Sequence, residues 1–143
     1  MAGTLNITTA GQFTIGTQSY TVGSTTTPVQ LAYASDLPCI RSIILNNTTG
    51  VLLTIGSGGD IASMDACIIT SDKEIGISLE GNAAANNSTF ILGAGQCVVI
   101  SDPQIYPYAA GGNFAGGAPV DIETIRAKNG VATDATIRVW AFT

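Results

Sequence analysis

The sequence predicts an all-β protein: an antiparallel two-layer β-sandwich of jelly-roll type, built from about nine or ten short strands. Three observations carry that expectation. Short segments alternate apolar with polar residues along most of the chain, the period-two signature of half-buried strands. Turn residues, chiefly Gly, Asn and Pro, punctuate those segments at short intervals. Helical turns are conceivable only over residues 61–69 and 83–85, and neither stretch is long enough to make a stable helix alone.

The elements follow in order. Residues 12–15 and 18–22 flank Gly16-Thr17 and read as a first hairpin, and residues 29–33 continue the alternation. Residues 39–46 and 51–55 bracket Asn47-Thr48-Thr49-Gly50 and pair most simply as a central antiparallel hairpin. Apolar residues on both phases of this pair point to burial on both faces, or to one face on the core and the other against a neighbour. Further strands are expected at 74–79, 88–92 and 96–101. The clearest hairpin closes the chain, with residues 121–127 and 135–142 alternating around an Asn129-Gly130 turn. Between 102 and 119 lies a long irregular loop that carries Tyr106, Tyr108 and Phe114 among prolines and paired glycines. Its aromatics favour an interaction loop over a solvated linker.

At 143 residues the chain is expected to form one sandwich domain over 11–143, preceded by a polar arm at 1–10 that lacks core periodicity. Five Lys and Arg against ten Asp and Glu give a net charge of −5. The five cations are scattered, with no stripe to neutralise phosphates, so no nucleic-acid partner is expected. Apolar runs fall far short of the ~20 residues that cross a bilayer, so no membrane partner is expected either. The first residues show neither the basic nor the apolar region of a signal peptide. Cys39, Cys67 and Cys97 form neither a disulfide framework nor a metal-ligand pattern. Cys39 and Cys97 fall in expected strands, where a free thiol packs as a small hydrophobe, which suits a reducing cytoplasm.

The chain contains no histidine, and with it go the commonest general base, the usual triads and most catalytic zinc sites. The remaining candidates are two carboxylate pairs, Asp121 with Glu123 and Asp72 with Glu74. Residues two apart on a strand stand side by side, whereas a glycosidase holds its carboxylates across a cleft, so solvated strand faces are the simpler reading. Asp60 and Asp65 match no calcium loop. Gly56-Ser57-Gly58-Gly59 lacks the lysine and the following helix of a phosphate cradle and reads as a positive-φ turn. No catalytic residue, cofactor or metal is expected. A surface built of hydroxyls, amides and backbone with so few charges is poorly protected against association, so an assembly partner is expected.

One resemblance covers roughly the last hundred residues. It consists of a strand at 40–45, an Asn/Thr-rich turn, and a strand at 52–55 running into Gly56-Ser57-Gly58-Gly59. Then come Leu92-Gly93-Ala94-Gly95-Gln96, the stretch 122–127, Gly130 and Thr136-Ile137-Arg138-Val139. This order resembles small β-sandwich virion proteins of tailed bacteriophages, the capsid decoration or cement proteins and related head-fibre modules. The insertion at 106–119 is longer than the plain form of that pattern, and the first thirty-eight residues have no counterpart in it. The resemblance implies a non-enzymatic protein, made in the host cytoplasm, that sits on the outer capsid surface of the virion, often as a homotrimer. Its partners would be the major capsid protein and copies of itself. Tyr106, Tyr108 and Phe114 would centre those contacts, with Leu5 and Ile7 engaging from the N-terminal arm. The reading from another class is a carbohydrate- or receptor-binding module of a tail or fibre, served by the same aromatic loop.

Overall fold

The computed structural model describes residues 3–7, 10–15, 18–23, 29–33, 39–82, 87–101, 104–105 and 119–143, with side chains described from residue 39 onward. No helix occurs among them, and every strand pairing is antiparallel. The chain divides into two compact units, Met1–Asp36 and Leu37–Thr143.

In the first unit, β1 (Gly3–Ile7) pairs with β4 (Val29–Tyr33), and β2 (Ala10–Ile15) pairs with β3 (Gln18–Gly23) as the expected hairpin. Leu5 and Ile7 therefore lie in a strand, in register with Leu31 and Val29.

The second unit contains β5 (Cys39–Leu45), β6 (Thr49–Thr54), β7 (Ala66–Ser71), β8 (Ile75–Glu80) and β9 (Asn87–Leu92). It continues with β10 (Cys97–Ile100), β11 (Gln104–Ile105), β12 (Val120–Asp121), β13 (Thr124–Lys128) and β14 (Ala135–Phe142). Eight of these build two four-stranded sheets, ordered β10-β7-β14-β5 and β6-β13-β8-β9, while β11 and β12 form a small ribbon. Alternation decides what is buried. In β14, Ala135, Ile137, Val139 and Ala141 point inward, and in β8 Ile75, Ile77 and Leu79 do the same. Side chains from both sheets join one hydrophobic cluster, as two packed layers require. In β6 the neighbours Leu52 and Leu53 are both fully buried. The reason is a bulge: opposite Ile125 and Arg126 the register passes from Leu53 to Val51, which leaves Leu52 as the extra residue.

The strand partners differ from those expected. Residues 39–46 and 51–55 do not form a central hairpin, because β5 and β6 lie in different sheets and each is an edge strand. The closing segments do not pair either: β13 lies between β6 and β8, and β14 between β5 and β7. Among the links joining the eight longer strands, only β8 to β9 connects neighbours within a sheet, and the others cross between layers. Buried Asn129 explains why the Asn-Gly turn crosses. Its Nδ2 donates to the carbonyls of Leu45 and Thr133, both at 2.7 Å, and its Oδ1 accepts from the Val131 N–H at 3.1 Å. The backbone adds two bonds between the same connections, Asn129 N–H to Thr48 O and Asn47 N–H to Val131 O. The β5–β6 and β13–β14 crossings are thus tied to each other.

The helical turn conceived over 61–69 is replaced by β7, a central strand with partners on both sides. Its β-branched Ile68-Ile69-Thr70 run suits that position. The second conceived turn, 83–85, lies outside the described residues. The glycine turn after β6 has the expected geometry, with positive φ at Gly56 and Gly58. At Gly59 a side chain would meet the Thr54 carbonyl oxygen at 2.7 Å, so that position accepts only glycine without a backbone shift.

Candidate functional site: the outer faces of the two sheets

The two sheets present unlike surfaces. On the outer face of β10-β7-β14-β5 the registers align Val99, Ile68, Trp140 and Ile40 in one row across all four strands. With strands about 4.8 Å apart, the row spans about 14 Å. The next row reads Cys97, Thr70, Arg138 and Ser42, and beyond it Thr136 lies beside Ile44. Ile40 and Ile44 are each 64% exposed, and Val99, Ile68 and Trp140 are half-buried. Fully burying an isoleucine yields about 1.5–3 kcal/mol. Covering what remains of these two would therefore contribute about 2–4 kcal/mol.

The outer face of β6-β13-β8-β9 is mostly polar, with rows Thr54, Thr124, Glu80, Asn87 and Val51, Arg126, Ser78, Thr89 and Thr49, Lys128, Gly76, Ile91. Because Gly76 carries no side chain, a trough of about 440 Å³ opens between Lys128 and Ile91, reaching Ser78 and Arg126. Its one carboxylate, Glu80, accepts from Arg126 Nε at 2.8 Å and from Ser78 Oγ at 3.3 Å.

Among the carboxylates singled out in the sequence, Asp121, Asp72 and Asp60 each accept hydrogen bonds from within the fold. Asp121 accepts from Gln104 Nε2 at 2.9 Å, and Asp72 accepts from the Thr136 N–H at 2.7 Å. The Glu123 backbone links Ile55 to Glu80. Asp60 Oδ2 accepts from Arg41 Nη1 at 2.6 Å and from the N–H and hydroxyl of Thr54 at 2.8 and 2.9 Å. No group of three or more Asp, Glu, Cys or His side chains placed to hold a metal occurs among the described residues. Desolvation, the largest single influence on Asp60, raises its pKa, but the bonds from Thr54 and the Arg41 charge together outweigh it and hold the carboxyl below its usual value. A depressed folded-state pKa means stability that is present above the unfolded value, about 4, and is lost as pH falls through the folded one. In thermal melts between about pH 7 and pH 2, Asp60→Ala is expected to melt below the wild type at neutral pH. That gap should narrow as pH falls below the unfolded value and through the lower folded one.

The thiols are distributed differently from the expectation. Cys97 is exposed, since it lies on the outward phase of the edge strand β10, while Cys39 is half-buried and Cys67 fully buried. Burial, helped by nearby Cys39, pushes the Cys67 thiol up to about 12. Because the thiolate is the reactive form, peptide mapping after alkylation at about pH 8 should show Cys97 modified first. Cys67 should be modified only in denaturant.

Of the residues expected to meet partners, Tyr106, Tyr108 and Phe114 lie outside the described residues. Leu5 and Ile7 are described by backbone alone. The apolar row was not singled out in the sequence, yet its signal is present there. In β5 and β7 apolar residues occupy both phases, and Trp140, the single tryptophan, falls on the phase opposite Val139 and Ala141. Compared with family models, curated proteins and solved structures, the chain matches none.

Proposed function

We propose that this chain is a non-enzymatic structural protein of a tailed-phage virion that binds the outer capsid surface and ties shell subunits together. The observation that carries this reading is the outward-facing apolar row Val99, Ile68, Trp140 and Ile40, with exposed Ile44 two rows further along β5. Contiguous apolar surface of this kind marks protein contacts. The crossing strand order also supports it. Read from β5 to β14 it is compatible with a jelly roll, an architecture found in viral capsid proteins and in lectins. Many copies on a symmetric shell would add avidity from links that are individually weak.

The test adds purified protein to shells of the cognate phage that lack it, and counts bound copies by quantitative mass spectrometry. Hundreds of copies are expected per particle, with occupancy at least tenfold lower for Val99→Lys. That substitution charges the row at the β10 edge, where lysine is a natural residue. A handful of copies, or undiminished occupancy of a folded Val99→Lys, contradicts the proposal.

The trough over Gly76 favours one second reading, a carbohydrate-binding module of a tail or fibre, because it combines hydroxyls and charges with the apolar Ile91. A glycan-array signal lost on Thr89→Lys would select that reading. Loss on Tyr106→Ala would assign glycan binding to the aromatic loop instead.

A further inference from the structure

Strand β5 forms one edge of its four-stranded sheet. Among the described residues it pairs only with β14, so the other edge of this seven-residue strand offers its N–H and C=O groups outside any ladder. Natural sheets blunt such edges with lysine, proline, bulges or short length. β5 has no lysine and no proline, its pairing with β14 runs without a register shift, and its one charge, Arg41, is held by Asp60. The other edges differ. At the end of β6 the Thr54 carbonyl accepts from Asp60 and Ile61 N–H, β10 is only four residues long, and β9 presents Asn87 and Thr89.

On its outer phase β5 reads Ile40, Ser42, Ile44, the same in both directions about Ser42. Both isoleucines are 64% exposed. An antiparallel strand of the same sequence, laid along this edge with serine opposite serine, brings each Ile40 opposite an Ile44. Side chains paired in this way have Cβ atoms about 4.5–5.5 Å apart. A two-fold interface requires this self-complementarity.

We infer that β5 pairs antiparallel with β5 of a second copy through a two-fold axis at Ser42, joining two four-stranded sheets into one of eight strands. Each apolar row then runs on into Ile44 of the other copy, and beyond it into Thr136. Arg138, next to Ser42 in its row, lies about 14 Å from Arg138 of the second copy. That exceeds the screening length of about 8 Å in physiological salt, so the two cations do not oppose the contact. A two-fold replaces the threefold arrangement implied by the phage resemblance. It stands apart from capsid binding: particle occupancy tests one and solution mass tests the other.

A contact one strand wide lies at the small end of specific interfaces, so association is expected at micromolar concentration. Native mass spectrometry and sedimentation of the full chain at about 100 μM should give twice the 14.5 kDa of one chain. The double substitution Ile40→Lys with Ile44→Lys sets lysine against lysine and should give monomers with unchanged circular dichroism. Ile40→Lys with Ile44→Glu sets each lysine opposite a glutamate only in this register, and should restore the dimer. A wild-type monomer or trimer, a dimeric Lys/Lys variant, or a monomeric Lys/Glu variant would each overturn the inference.

Discussion

Asn129→Ala is expected to cost about 2–4 kcal/mol of folding stability. The side chain is fully buried and makes three hydrogen bonds, to Leu45 O, Thr133 O and Val131 N–H. Each bond contributes about 1 kcal/mol net, and a buried carbonyl left without its donor costs about 1–3 kcal/mol. Asn129→Asp separates hydrogen bonding from shape. Its carboxylate keeps the volume but cannot donate to two carbonyls, so near neutral pH it should be no more stable than the alanine variant. Burial among carbonyls raises a carboxyl pKa. The folded aspartate variant therefore binds a proton more readily than the unfolded one, and its stability should rise relative to alanine as pH falls. Midpoints of urea unfolding at unchanged m-value measure both effects.

Ile137→Ala is expected to cost about 2–5 kcal/mol, and Ile137→Val about 0.5–1.5 kcal/mol, as buried methyl groups are removed. Ile137 is fully buried in β14, in register with Ile43 of β5 and Ser71 of β7. Ile44→Ala removes the same atoms one residue along β5 from Ile43, where the side chain is 64% exposed. Its effect on unfolding of the isolated chain should stay within about 0.5 kcal/mol. The contrast is diagnostic. If Ile44 served the core of its own chain, the two alanine variants would converge.

The fold class was legible because period-two alternation survives wherever one face of a strand is buried, as in β8 and β14. Strand partners were less legible for a definite reason. Asn47-Thr48-Thr49-Gly50 and Asn129-Gly130 mark where the chain reverses, but turn chemistry does not say whether the next strand returns to the same sheet or crosses to the other. That choice rests on long-range bonds such as Asn129 to Leu45, 84 residues away, which leave no local trace. β7 was hidden because Ala66-Cys67 are both buried ahead of its alternating part, so the period starts late. At the candidate site, apolar residues on both phases of β5 did signal a second contact. The sequence could not show that β5 is an edge strand, and hence that Ile40 and Ile44 look outward.

The face bearing Val99, Ile68, Trp140 and Ile40 is expected to be covered by other protein subunits. Electron cryo-microscopy of purified particles measures this most directly, because it yields both the number of copies and their orientation. Many copies are expected on the shell, with the β10-β7-β14-β5 sheet turned towards neighbouring subunits and Trp140 inside the contact. Particles that carry the chain with this face open to solvent, or that do not carry it at all, would contradict this expectation.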